Sequence, residues 1–134
     1  MSDRTSDDFR VLVTGTRNGG TRWMGHVYHA LMEAWKVNDK PSLTVVHGDC
    51  PTGIDKGADV VARRMGFTVE PHPADWAKLG KRAGPMRNQA MVDLGADLCL
   101  AFPMGESRGT RDCMRRAEAA GIPVEIHEIT HGAI

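Results

Sequence analysis

The chain has 134 residues, 17 basic and 17 acidic side chains, and a 41% hydrophobic fraction, the make-up of one soluble globular domain. Zero net charge speaks against a general nucleic-acid or membrane-surface binder, which carries a broad basic excess. Three widely spaced cysteines, Cys50, Cys99 and Cys113, form no CxxC pair; this argues against structural zinc and a disulfide framework and makes a reducing cytoplasm the expected compartment.

Residues 1–8 are polar and acidic and read as a flexible tail ahead of a single domain over 9–134. They contain no apolar run of signal-peptide type, and no stretch of about 18 apolar residues is present to span a membrane. The first apolar run, Phe9–Thr14, is a predicted strand. A helix follows over about 21–37, with Trp23, Val27, Leu31 and Ala34 near one face. The second strand is Leu43–His47. The second helix runs from Gly53 to Met65, with Ile54, Ala58, Val61 and Met65 on one face and Gly66 as its C-terminal cap. Phe67–His72 is the third strand, and the long connection from about Glu70 to Gly84, with Trp76 and its neighbouring glycines, is expected to be a packed functional loop. The third helix starts near Pro85, a favoured first-turn residue, and ends at Gly95. Asp97–Phe102 is the fourth strand, Gly109–Ala120 the fourth helix, and Pro123–His127 the fifth strand.

Such alternation implies a Rossmann-like α/β/α sandwich with about five parallel strands. The expected strand order is 3-2-1-4-5, which places the ligand crevice between the first and fourth strands. Four turns then fall at the carboxyl edge of the sheet: Gly15–Gly20, Gly48–Asp55, the connection before Gly84, and Pro103–Thr110. Glycines let backbone approach a ligand, and helix N-terminal amides favour phosphate. Arg17, Arg87 and Arg108 are candidate phosphate contacts. Asp49 and Asp55 are candidate acceptors for ribose hydroxyls.

The segment Asp75–Met91 (DWAKLGKRAGPMRNQAM) carries Lys78, Lys81, Arg82 and Arg87 with no acid between them, beside Trp76. It suits a phosphate-bearing ligand with a base to stack. Each feature also has a plainer reading. Gly15–Gly20 reads equally as a turn, Asp55 as a helix-start charge and Trp76 as a cover for the core edge. His47 reads as a strand cap, Lys78, Lys81 and Arg82 as a solvated face, Met86 and Met91 as core, and Cys113 as a buried inert residue.

With GTR after the first strand, HGDCPTGID after the second, the Asp75–Met91 segment, and GTRDC at the last turn, the chain resembles the SLOG superfamily. Within it, the small stand-alone YspA-like branch related to YpsA is the most similar. The match runs from about Phe9 to Val124. The resemblance implies binding of nucleotides or nucleotide-derived ligands. It places the site on Gly15, Thr16 and Arg17; on Gly48, Asp49, Gly53 and Asp55; on Arg87 and Asn88; and on Gly105, Gly109 and Thr110. Its relatives include LOG-type phosphoribohydrolases, sensors of NAD-derived signals, and DprA proteins that bind single-stranded DNA. The LOG enzymes carry PGGxGTxxE; here Cys113 stands at the glutamate position, and Asp112, one residue early, points about 100° away on a helix.

The expectation is therefore a protein that binds a nucleoside phosphate or an ADP-ribose- or NAD-like molecule, with Trp76 as a base platform. N-glycosidic cleavage of a nucleoside monophosphate and DprA-like strand binding are the alternatives. For catalysis the candidate residues are Arg87, Asp49, Asp55 and Asp112, with Glu106 a further substitute for the missing glutamate. No metal and no cofactor are called for, and by analogy with relatives the chain is expected to form a homo-oligomer.

Overall fold

The computed structural model describes residues 8–20, 22–39 and 41–130. The strands are β1 (Asp8–Gly15), β2 (Ser42–His47), β3 (Thr68–Pro71), β4 (Leu98–Phe102) and β5 (Val124–Ile126). They form one all-parallel sheet in the order β3-β2-β1-β4-β5, the order expected from sequence. The tail expected over 1–8 lies outside the described residues, apart from Asp8, which opens β1.

Four helices of 11 to 14 residues cover the sheet: α1 (Met24–Val37), α2 (Gly53–Arg64), α4 (Ala83–Asp93) and α5 (Arg108–Ala119). Alternation within each strand decides which face each residue feeds. Val11, Val13, Val45, Leu100 and Phe102 pack with Trp23 at the N-cap of α1, with Val27 and Leu31 of α1, and with Ile54, Ala58 and Val61 of α2. Leu12, Val46 and Cys99 pack on the other face with Met91 and Val92 of α4 and Cys113 and Ala117 of α5. Each of the larger side chains buried this way stabilises the fold by about 1.5–3 kcal/mol. Among the described residues no helix is long and apolar enough to cross a membrane.

The connection from β3 to α4 differs from its expectation as a loop. It contains a short helix, α3 (Trp76–Leu79), capped by the Asp75 carboxylate, which accepts from the Lys78 amide at 3.1 Å, and a 3-10 turn, Gly80–Arg82. The turn feeds directly into α4, so that helix starts at Ala83, two residues before Pro85. Pro85 remains in the first turn, where its missing N–H costs nothing.

A charged residue is buried low on the sheet. Arg10, 7% exposed, donates to both Glu70 carboxylate oxygens at 2.8 Å and through Nε to the Gly95 carbonyl at 2.9 Å. The Arg10 guanidinium, helped by His72, holds the Glu70 carboxyl down to about 2. This network ties β1, β3 and the end of α4 together beneath the crevice.

Candidate functional site

A cavity of about 290 Å³ opens at the carboxyl edge of β1, β2 and β4. Of the residues expected there, Gly15, Thr16, Arg17, Gly48 and Asp55 line it, as do Arg87, Asn88, Arg108, Gly109 and Thr110. Asp49, Gly53, Trp76, Gly105, Glu106 and Asp112 lie off its wall. Sequence reasoning passed over Thr14, Asn18, Cys50, Met91, Met104 and Ser107, which do line it. Met91 had a signal: it stands one helical turn after Arg87, so both address the same side of α4. It serves the core and the cavity together, at 2% exposure, whereas Met86, expected in the core, is half exposed.

The start of α2 is closed. The Gly53 amide donates to the Gly20 carbonyl at 2.6 Å, and the Ile54 amide to the Thr16 carbonyl at 3.0 Å. The Thr52 hydroxyl donates to the Arg17 carbonyl at 2.7 Å. Gly53 sits at φ +74°, and a Cβ there would fall 2.7 Å from the Arg17 Cα and nearer still to the Thr16 carbonyl oxygen. Gly53 is therefore a packing requirement of the loop, with its donor already used.

The start of α5 is open. Among the described residues, the amides of Arg108, Gly109 and Thr110 have no hydrogen-bond partner, and the first turn holds no acidic residue. Ser107, at φ +41°, gives no cap to these amides; its hydroxyl donates to the Thr110 hydroxyl at 2.9 Å. A Cβ on Gly109 would meet nothing within 4 Å. Three unpaired donors at the positive end of a helix dipole, facing a cavity, form an anion-binding arrangement.

Arg87 reaches across from α4. Its Nη1 donates to the carbonyls of Gly48 and, at 3.3 Å, of His72, and its Nε donates to the Asn88 side-chain oxygen at 3.1 Å. The guanidinium is thus held at the cavity wall by the ends of β2 and β3. A Cβ on Gly48 would lie 2.7 Å from the Arg87 Cζ and 3.0 Å from an Asp55 oxygen, so a larger residue here would push the guanidinium off this wall. Asp55 is buried, and that burial pushes its carboxyl above the usual range, against the opposing pull of His47, the Cys50 amide and Arg87. The Cys50 amide donates to it at 3.3 Å.

The other carboxylates expected at the site lie off the cavity wall. Asp49 is exposed, at φ +57°, and its amide donates to His47 Nδ1 at 2.9 Å. His47 is itself buried with Nε2 2.8 Å from Asp59, the bonding of a structural residue. Glu106 is exposed and pairs with Arg108, which is also exposed. Asp112 takes bonds from Asn88, Arg115 and Arg116. Burial opposes its ionisation, but Arg116 and Asn88 outweigh this and hold the carboxyl low. Cys113, fully buried under Thr14, has its thiol pushed up to about 11 by burial, against the opposing hydrogen bond from Thr14.

Trp76 differs from a free base platform. The Arg17 guanidinium lies over its ring at 5.0 Å from the centroid, and the ring packs against Gly84, where a Cβ would meet it at 3.0 Å. A cation–π contact of this kind contributes about 0.5–1 kcal/mol at an exposed site. Lys78, Lys81 and Arg82 are all exposed on α3 and the 3-10 turn, which is the solvated-face reading.

No family model matches the chain. A crystal structure of the C-terminal domain of a hydrogenase from Pyrococcus furiosus is similar at 19% identity, with 88% of this chain and 89% of that domain aligned and a TM-score of 0.47. A second crystal structure of that domain aligns over 95% and 98% of the two chains at 16% identity, also with a TM-score of 0.47. The Gene 61 protein of Mycobacterium phage D29 is 47% identical over 125 residues, spanning 86% of this chain and 93% of the phage protein. With identity at that level along nearly the whole of its relative, the chain belongs to the family of the D29 Gene 61 protein.

Proposed function

We propose that the protein binds a small nucleotide-derived, phosphate-bearing molecule in the cavity, as a member of the SLOG superfamily. The observation that carries this reading is the open first turn of α5 facing the same cavity as Arg87 and the buried carboxyl of Asp55. The amides of Gly109 and Thr110 and the Arg87 guanidinium take phosphate oxygens. Asp55 accepts from a sugar hydroxyl, and Met91 and Met104 supply apolar wall. A volume of about 290 Å³ accommodates one nucleoside phosphate. Calorimetric titration with adenosine monophosphate, ADP-ribose, NAD and inorganic phosphate tests it. Saturable binding that is lost in Arg87→Ala is expected, and silence across the panel sinks the reading.

A second reading, hydrolysis of an N-glycosidic bond, rests on one observation: Asp55 is the single carboxylate on the cavity wall among the described residues. A carboxyl whose burial raises it above its ordinary range holds its proton longer than a free carboxylate, which suits it to proton transfer. In that reaction the bond from the anomeric carbon to the base breaks, water oxygen bonds to the carbon, and a proton passes to the departing base. Chromatographic detection of free base, abolished in Asp55→Asn while binding persists, separates this reading from binding alone.

A further inference from the structure

The two anion-facing groups of the cavity belong to different helices, Arg87 to α4 and the open turn to α5. One side chain joins them. Asn88 is 5% exposed. Its side-chain oxygen accepts from Arg87 Nε at 3.1 Å. Its amide nitrogen donates to the Gly109 carbonyl at 3.2 Å and to an Asp112 carboxylate oxygen at 3.1 Å. All three bonds stay within the protein, so the Asn88 amide is occupied although the residue borders the cavity. Asp112 is anchored in turn by Arg116 Nε at 2.8 Å, and Arg116 Nη1 donates to the Gln89 side-chain oxygen at 2.9 Å, returning to α4.

We propose that Asn88 is a positioning residue that sets the Arg87 guanidinium and the first turn of α5 as one unit, so that the two halves of the cavity form or are lost together. It deepens the proposed function, resting on the reading of this cavity as a phosphate site, but the clamp itself is defined by bonds of the free protein. The chemistry needs an amide. Asparagine presents an acceptor to the guanidinium and two donors to the carbonyl and carboxylate of α5. Aspartate keeps the shape, retains the acceptor for Arg87, and places a second carboxylate against Asp112. A buried pair of that kind carries like-charge repulsion, and it sets a carboxylate oxygen against the Gly109 carbonyl in place of the Asn88 donor.

The test uses the whole chain and three proteins: wild type, Asn88→Asp, and the exchange Asn88→Asp with Asp112→Asn. The exchange restores the donor–acceptor pair between positions 88 and 112 at the wild-type charge, and leaves the bond to the Gly109 carbonyl lost. Nitrogen-15 NMR follows the Arg87 Nε–H and the Gly109 and Thr110 amides without any ligand, and calorimetry follows adenosine monophosphate and inorganic phosphate. In Asn88→Asp the Arg87 and Gly109–Thr110 signals should shift together, with affinity about tenfold weaker, as for the loss of one or two bonds. The exchange should move both sets of signals back toward wild type together and recover part of the affinity. A shift confined to one helix, an exchange protein no closer to wild type than the single variant, or an exchange protein that fails to fold overturns the proposal. If Asn88→Asp alone does not fold, the exchange decides. If the signals move together yet wild type binds neither probe, the clamp stands and the phosphate reading falls.

Discussion

The N-termini of α2 and α5 look alike in sequence and are opposites in structure. Both follow a sheet strand through a glycine-bearing turn, and both point at the crevice. At α2 the amides of Gly53 and Ile54 are spent on the Gly20 and Thr16 carbonyls, and the turn is sealed by the Thr52 hydroxyl on Arg17. At α5 the first three amides are unspent among the described residues, and a Cβ on Gly109 would meet nothing within 4 Å. The difference lies in what packs against each turn: the β1–α1 loop lies on α2 and consumes its donors, and among the described residues no segment takes the α5 donors in the same way. A helix start is a ligand site only where the protein has left its donors unpaired.

The strongest way to break this contrast is Gly53→Ala. A Cβ there meets backbone on the neighbouring loop, at a positive φ, so a loss on the order of 3 kcal/mol or more is expected. A denaturation midpoint close to wild type would show that the α2 turn is not the rigid lock described. Next is Arg87→Ala. It should weaken phosphate-ligand affinity about tenfold or more while costing only about 1 kcal/mol of stability, as titration and chemical unfolding can show side by side.

Asp55→Asn sharpens the contrast through pH. Asp55 belongs to the closed turn yet faces the cavity, and its folded carboxyl titrates above its ordinary 3.8. The native state therefore keeps the proton longer than the unfolded chain. The associated stability is present at pH below about 4 and is lost as pH rises through the folded value. Stability curves measured from pH 4 upward should fall less in Asp55→Asn than in wild type, and parallel curves would refute the assignment. The smallest effect is expected for Gly109→Ala. With open space around it, alanine should leave stability unchanged or raise it by about 0.5–1 kcal/mol. The added methyl should still weaken phosphate binding, because it intrudes on the open turn. A stability loss as large as that of Gly53→Ala would erase the distinction between the turns.

Much of the fold was legible because it follows from periodicity. Apolar runs such as LTVVH read as buried parallel strands, and the Ile54, Ala58 and Val61 spacing on α2 read as a core-facing helix; all three are buried. The segment 76–82 reads as loop in the sequence because a four-residue helix and a 3-10 turn carry no periodic signal. The site was legible only as a set of turns. Asp49 and Asp55 are six positions apart in one motif, and no local rule distinguished them. A positive φ at Asp49 turns it outward to solvent, while the first turn of α2 carries Asp55 inward against Gly48.

By itself, then, the sequence determined the alternating elements, the strand order and the edge of the sheet where glycines and arginines collect. Those follow from short-range patterning and from the chirality of parallel crossovers. The tertiary structure alone decided which donors stay free, which carboxylate faces the cavity, and that Asn88 joins α4 to α5. Hydrogen-bond satisfaction is settled between segments distant in the chain, as when the Gly20 and Thr16 carbonyls reach the start of α2. Composition and spacing leave no trace of that pairing.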